Sequence, residues 1–284
     1  SSSRRNPTMA SYNLYKYSPS GAAAMIFLVG FIVGCAWHVF IIVRRRAWYF
    51  IPLIIGCLLE IAGYLGRFLS STDTGNLGFF MIQTLCLLVA PALFAASIYM
   101  VLGRLILYLQ CAPLSPIKPS RLTKIFVVGD VLSFLVQVMG AGLLAQAKSM
   151  NTGKTIILLG LAVQLIFFGL FVVVAAVFHR RLLDRVPPAV LHEEANSGWQ
   201  RHTRGWRGVM SVLYVASGLI FVRSLFRLVE YVEGNDGVLL STEVYLYIFD
   251  ALLMLGVVAV SAVFHPAKYV PGKKEIMAMQ DMDG

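Results

Sequence analysis

Gly56-Cys57-Leu58-Leu59-Glu60-Ile61-Ala62-Gly63-Tyr64-Leu65-Gly66-Arg67 lies inside an apolar run, Trp48 to Leu69, that is long enough to cross a bilayer. Yet it carries a carboxylate and a guanidinium. Glu60, Gly63, Tyr64 and Arg67 recur at i, i+3, i+4 and i+7, so they share one face of a helix. A carboxylate near the membrane centre costs at least ~3 kcal/mol unless it is paired or wetted. That face therefore looks into protein or water. Two readings follow: an ion pair between helices, or the wall of a polar site.

The rest of the chain supplies the helices that either reading requires. Of 284 residues, 58% are hydrophobic and 13% charged, where a soluble domain carries roughly 25% charged. Mean hydropathy is +0.75. The apolar residues fall into blocks of about 20, the length that spans a ~30 Å hydrocarbon core. The fold class is all-α: a polytopic membrane protein with one seven-helix transmembrane bundle over residues 20–264. Its spans are expected near 20–43, 48–69, 79–109, 124–147, 155–178, 208–231 and 243–264. Residues 1–19 are polar, rich in Tyr and without a signal-peptide pattern. Residues 265–284 form a polar tail after His265-Pro266.

Lys and Arg in the connections set the expected orientation. Fifteen of the 24 lie on one side (Arg44–Arg46, Lys118, Arg121, Lys124, six arginines between Arg180 and Arg207, and Lys268, Lys273 and Lys274), against five on the other. This places the N-terminal segment outside and the C-terminal tail in the cytoplasm. The charge of +10 thus marks a membrane surface and not nucleic acid. The connection 179–207 holds Trp199 and Trp206 among its arginines. It reads as lying along the inner membrane surface, or as a dock for a cytoplasmic partner.

Cys35, Cys57, Cys86 and Cys111 sit in apolar runs or at a helix end, so no disulfide framework is expected. No CxxC or HExxH spacing occurs, and neither a metal nor a cofactor is expected. His38 and His265 read as packed or interfacial histidines, with a ligand role as the alternative.

Polar residues inside the spans carry the information about function. The fourth span places Asp130, Ser133, Gln137 and Gly140 on one face. The sixth spaces Arg223, Arg227 and Glu230, and the seventh Glu243, Tyr247 and Asp250, at i, i+4, i+7. Gln83, Pro91, Tyr99 and Arg104 lie along the third span and Gln164 on the fifth. With a rise of ~1.5 Å per residue, Asp250 is level with Arg223, and Arg67 is level with Arg227, Glu230 and Glu243. Arg104 reads as a snorkelling anchor at the inner rim, and the glutamines as interhelical hydrogen bonds or ligand contacts. The candidate ligand-binding residues are Glu60, Tyr64, Arg67, Gln83, Tyr99, Asp130, Gln137, Gln164, Arg223, Arg227, Glu230, Tyr247 and Asp250. The inward faces of the second, fourth, sixth and seventh spans are expected to converge on one polar cavity open toward the outer half.

Ordered elements across Tyr17 to Pro266 resemble one family. They are Tyr17-Ser-Pro-Ser20; Glu60-x-x-Gly63-Tyr64-x-x-Arg67; Ala90-Pro91-Ala92 with Ser97-Ile98-Tyr99 and Leu102-Gly103-Arg104; Gly129-Asp130-Val131 with Gln137 and Gly140; Gly160-Leu161 with Gln164; Arg223-x-x-Phe226-Arg227-x-x-Glu230-Tyr231; Glu243-x-x-x-Tyr247-x-Phe249-Asp250; and His265-Pro266. The set is similar to the fungal lipid-translocating exporters, also called RTA-like for resistance to aminocholesterol. The resemblance implies a seven-helix protein of the fungal plasma membrane. It also implies a link to release of sphingoid long-chain bases, to resistance to sterol analogues and drugs, and in one branch to porphyrin transport.

Two classes of function are expected. The first is a transporter for amphiphilic lipids, its ligand a long-chain base, a sterol-like molecule or another cationic amphiphile, with the headgroup at Glu60 and Asp250. The second is a seven-helix receptor or lipid sensor that acts on efflux through a partner at 179–207. A porphyrin or haem transporter is a further reading, as is an intramembrane lipid hydrolase, though the five histidines are scattered. The expectation is therefore not an enzyme. The seventh span has no lysine for a Schiff base, and no Gly-rich phosphate loop accompanies the helices.

Overall fold

The computed structural model describes residues 20–72, 77–144, 150–184, 205–233 and 243–263. The terminal segments, His265, Trp199 and most of the 179–207 connection lie outside them. Among the described residues are seven helices long and apolar enough to cross a membrane. They are α1 (Gly21–Arg45), α2 (Ile51–Thr72), α3 (Leu77–Tyr108), α4 (Pro119–Leu144), α5 (Met150–Asp184), α6 (Trp206–Glu233) and α7 (Glu243–Val263).

Each helix packs on its neighbours in sequence, and α1 against α7 closes the ring. The third helix is drawn inward, touching α2, α4, α5 and α6. Large apolar side chains stay exposed on the outer faces at seven-residue spacing: Ile26, Val33 and Phe40 on α1, and Leu159, Ile166 and Val173 on α5. A stripe of that kind is the lipid-facing side of a membrane helix.

Local chemistry explains several helix ends. Ser20 caps α1, its hydroxyl accepting from the Ala23 amide at 3.4 Å. Arg46 ends the same helix in the left-handed region, with φ of 52°. Pro119 opens α4 where a missing N–H costs nothing. Arg44, Arg45, Lys118, Arg121, Arg180, Arg181 and Arg207 gather at one end of the bundle, the basic end. Glu243 marks the opposite end.

Two helices differ from the expected spans. The fifth extends past both ends of 155–178, because Leu182, fully buried, continues its packed face beyond the drop in hydropathy at His179–Arg181. Trp206, expected along the membrane surface, is buried at the start of α6, its ring set edge-on against His179 at 5.9 Å.

Glycines set how closely helices approach. A Cβ on Gly66 of α2 would meet the Phe79 carbonyl at 3.2 Å, and one on Gly140 of α4 the Gly153 carbonyl at 2.8 Å. The α2–α3 and α4–α5 pairs are therefore backbone-to-backbone contacts.

The seventh helix is not uniform. Residues Tyr247–Leu252 form a π-helical turn between α-helical segments Glu243–Leu246 and Leu253–Val263. Such turns place one extra residue in the helix and re-aim the side chains around them.

Candidate functional site

Twelve of the thirteen candidate residues fall into three groups, and Gln83 stands apart. The first lies toward the opposite end. Arg67, 1% exposed, donates through Nη2 to Glu243 Oε1 at 2.8 Å and through Nε to the Tyr247 hydroxyl at 3.0 Å. The backbone amide of Ser20 donates to both Glu243 oxygens, at 2.9 and 3.0 Å. Helices α1, α2 and α7 are thus tied through one carboxylate. Phe27 stacks on Tyr247 at 5.4 Å, and Phe31 on Tyr64 at 5.6 Å, which gives this group an aromatic wall. The Tyr64 side chain is fully buried, and its hydroxyl has no hydrogen-bond partner among the described residues.

The second group is central. Arg223 Nε donates to Asp250 Oδ1 at 2.6 Å, and its Nη2 donates to the Leu87 carbonyl at 2.7 Å. Leu87 is four residues before Pro91, which has no N–H to offer that carbonyl. The arginine thus satisfies a backbone acceptor that the proline leaves open. One turn toward the opposite end, Arg227 pairs with Glu230 on its own helix at 2.8 Å. Glu60 shares this centre with Asp250, Arg223 and Arg227 as its charged neighbours. It is 2% exposed, and among the described residues no donor stands within hydrogen-bonding distance of it.

The third group lies across α3, α4 and α5. The Tyr99 hydroxyl donates to Asp130 Oδ2 at 3.0 Å, inside rings of Phe126, Phe168 and Phe171. Gln137 Nε2 donates to Gln164 Oε1 at 3.0 Å. The expected convergence of α4 with α2, α6 and α7 is therefore not what the bundle builds. The fourth helix packs chiefly on α5 and α3, so Asp130 finds a phenol instead of an arginine. Gln83 is buried on α3, where its backbone lies close to Gly66.

Of two other residues, Arg104 departs from expectation and His38 follows its packed reading. Arg104 does not simply snorkel. Its guanidinium lies 4.2 Å from the centre of the buried Tyr49 ring, and its Nη1 is buried without a partner among the described residues. His38 is fully buried, with Nε2 3.1 Å from the Val258 carbonyl. A carbonyl only accepts, so Nε2 carries the proton and binds α1 to α7.

Toward the basic end of the central group, α2, α3, α6 and α7 enclose a small apolar cavity of about 20 Å³. It is lined by Phe50, Leu53, Phe94, Ser97, Ile98, Val101, Val212, Leu213, Ala216, Val257 and Ser261. Leu53, Phe94, Ala216 and Val257 each stand seven residues, roughly 10 Å, from Glu60, Leu87, Arg223 and Asp250 respectively. Each step runs toward the basic end. Charge and apolar space therefore follow one another along a single axis.

Residues 53–273 match the family model described as RTA1 like protein. Protein RTM1 of Saccharomyces cerevisiae is 41% identical over 213 residues, which are 75% of this chain and 66% of that protein. Protoporphyrin uptake protein 1 of the same species is 35% identical over 286 residues, covering 88% of this chain and 91% of the relative. The species' sphingoid long-chain base transporter RSB1 is 29% identical over 272 residues, covering 83% and 69%. No solved structure matches.

Proposed function

Since the chain belongs to the RTA1-like family, we propose that it moves amphiphilic lipids across a membrane, seating a cationic headgroup at Glu60. The observation that carries this reading is the distribution of charge. Arg67, Arg223 and Arg227 each hold a carboxylate at 2.6–2.8 Å. Glu60 is equally buried and pairs with none of them, so the centre has one carboxylate to spare. An ammonium group is the occupant that a carboxylate without a cation of its own suits.

Relatives are named both for a sphingoid base and for protoporphyrin. A sphingoid base carries an amine on a single chain, whereas a porphyrin of that kind brings carboxylates. Those carboxylates would need a central arginine that holds no carboxylate of the chain, and Arg223 and Arg227 each hold one. Arg104 is seventeen residues from Leu87, roughly 25 Å along α3. The site's chemistry therefore favours the cationic amphiphile. Orientation, with the basic end in the cytoplasm, and residence in the plasma membrane belong to the same proposal.

The test is transbilayer movement of a fluorescent single-chain amine in liposomes holding the purified full chain. Wild type speeds movement over protein-free vesicles. Glu60→Gln loses most of that effect for the amine and little for an uncharged analogue with the same tail. Equal movement with and without protein would overturn the transport reading.

A further inference from the structure

We propose that Glu60 is also a proton site, so that a proton and the cationic headgroup exchange on one carboxylate and the chain works as a proton-coupled exchanger. This rests on the headgroup reading above and adds the source of its driving force.

Five carboxylates are buried or half-buried in the bundle among the described residues. Glu230, Glu243 and Asp250 each have an arginine within 2.8 Å, and Asp130 has the Tyr99 phenol at 3.0 Å. Glu60 has neither, though it is 2% exposed. An ionised carboxylate without a paired cation is costly in such surroundings, and either a proton or an ammonium group removes that cost.

None of the groups facing it pairs with it. From its own helix come Cys57 and Tyr64, from α3 Cys86, from α6 Arg223 and Arg227, and from α7 Asp250. The first helix contributes Cys35, beside Cys57. Each of the two arginines already holds another carboxylate, Asp250 at 2.6 Å and Glu230 at 2.8 Å. Tyr64, one turn away, adds a buried hydroxyl without a partner. Two adjacent groups are thus left without a partner among the described residues.

The exchange conserves charge. The neutral acid gives up its O–H proton to solvent, the carboxylate keeps the electron pair, and the ammonium takes the proton's place. Site and occupant are neutral overall before and after. Because the two occupants exclude each other, raising the pH strengthens headgroup binding, and headgroup binding expels the proton.

The test uses a single-chain quaternary ammonium amphiphile, whose permanent charge prevents it from carrying a proton itself. Purified full-length protein is titrated with it in weakly buffered detergent solution. Wild type releases close to one proton per amphiphile bound. Its affinity rises up to about tenfold per pH unit while the free acid is protonated. Glu60→Gln binds weakly, without pH dependence and without proton release. In liposomes, a pH gradient drives the quaternary amphiphile through wild type only. Binding by wild type with no proton released overturns the exchange and leaves the headgroup reading standing. Absence of binding by wild type overturns both. The wild-type proton count decides the matter even if the variant fails to fold.

Discussion

Arg223 on α6 completes the backbone that Pro91 interrupts on α3, donating at 2.7 Å to the carbonyl of Leu87. The same guanidinium holds Asp250 at 2.6 Å, so one side chain links α3, α6 and α7 at the middle of the bundle. The proline and the arginine therefore form an energetic pair, although neither touches the other by name in the sequence.

That pairing is measurable. Arg223→Met strands Asp250 and the Leu87 carbonyl together, at a cost of about 3–5 kcal/mol for the broken buried pair. In a Pro91→Ala background the new amide at position 91 satisfies Leu87. The same substitution then costs about 1–3 kcal/mol less. Thermal or denaturant unfolding of the four members of the cycle reads the difference. Strict additivity would refute the coupling.

Depth in the bundle sets the value of each pair. The side chains of Arg223 and Asp250 are 1% and 4% exposed, whereas Glu243 is 15% exposed. Asp250→Asn is expected to destabilise by about 3–5 kcal/mol. Glu243→Gln, with solvent to screen it, is expected to cost about 1–2 kcal/mol. The order of the two melting temperatures checks this, and a reversed order contradicts the assigned geometry.

Glu60→Gln should behave unlike either. No bond is lost, so stability stays within about 1 kcal/mol of wild type. Affinity for a cationic amphiphile falls by about 1.5–3 kcal/mol, the worth of a charge-assisted contact. A fall in melting temperature as deep as that of Asp250→Asn would reveal a structural partner for Glu60 and remove its headgroup role.

Glycines offer a matched control. A methyl on Gly160 would meet the Ser133 carbonyl at 2.9 Å, while one on Gly218 meets nothing within 4 Å. Gly160→Ala is expected to lose about 1–3 kcal/mol through overpacking. Gly218→Ala is expected to gain about 0.5–1 kcal/mol through reduced backbone freedom. Unfolding midpoints of the two variants should move in opposite directions.

Orientation is testable apart from the site. An antibody tag after Gly284 is expected to be reachable only in permeabilised cells, and one before Tyr12 without permeabilisation. The reverse pattern would invert the assignment made from the basic residues.

Much of the charge pairing was legible because a helix rises by a fixed step. Depth alone puts Asp250 opposite Arg223, and the two are in contact. For Arg67, depth leaves several partners at one level. The structure resolves the choice because Glu230 turns to Arg227 on its own helix, which leaves Glu243 for Arg67. Azimuth was not legible. Which way Asp130 points depends on α4 lying against α5 and α3, and a periodic pattern does not report the neighbours of a helix. Backbone partners were equally hidden. The Leu87 carbonyl and the Ser20 amide take part in the two arginine groups, yet a main-chain group has no letter of its own. Nor did the spacing of Glu243, Tyr247 and Asp250 reveal the π turn, which is a property of hydrogen-bond register.

The glycine contacts also determine where the bundle is stiff. Where two backbones touch, as at Gly66 against Phe79 and Gly140 against Gly153, there are no side-chain rotamers between them to take up a shift. Each of the pairs α2–α3 and α4–α5 is in effect a single plank. Along α1 and α7 the approach is different. Gly30 faces the side chain of Leu255 and Gly34 that of Val258, so this seam is cushioned by groups that can re-pack. Compliance is therefore lowest within the planks and higher along the α1–α7 seam. The ion pair Arg67–Glu243 lies across that softer side, linking α2 to α7 as a clasp would.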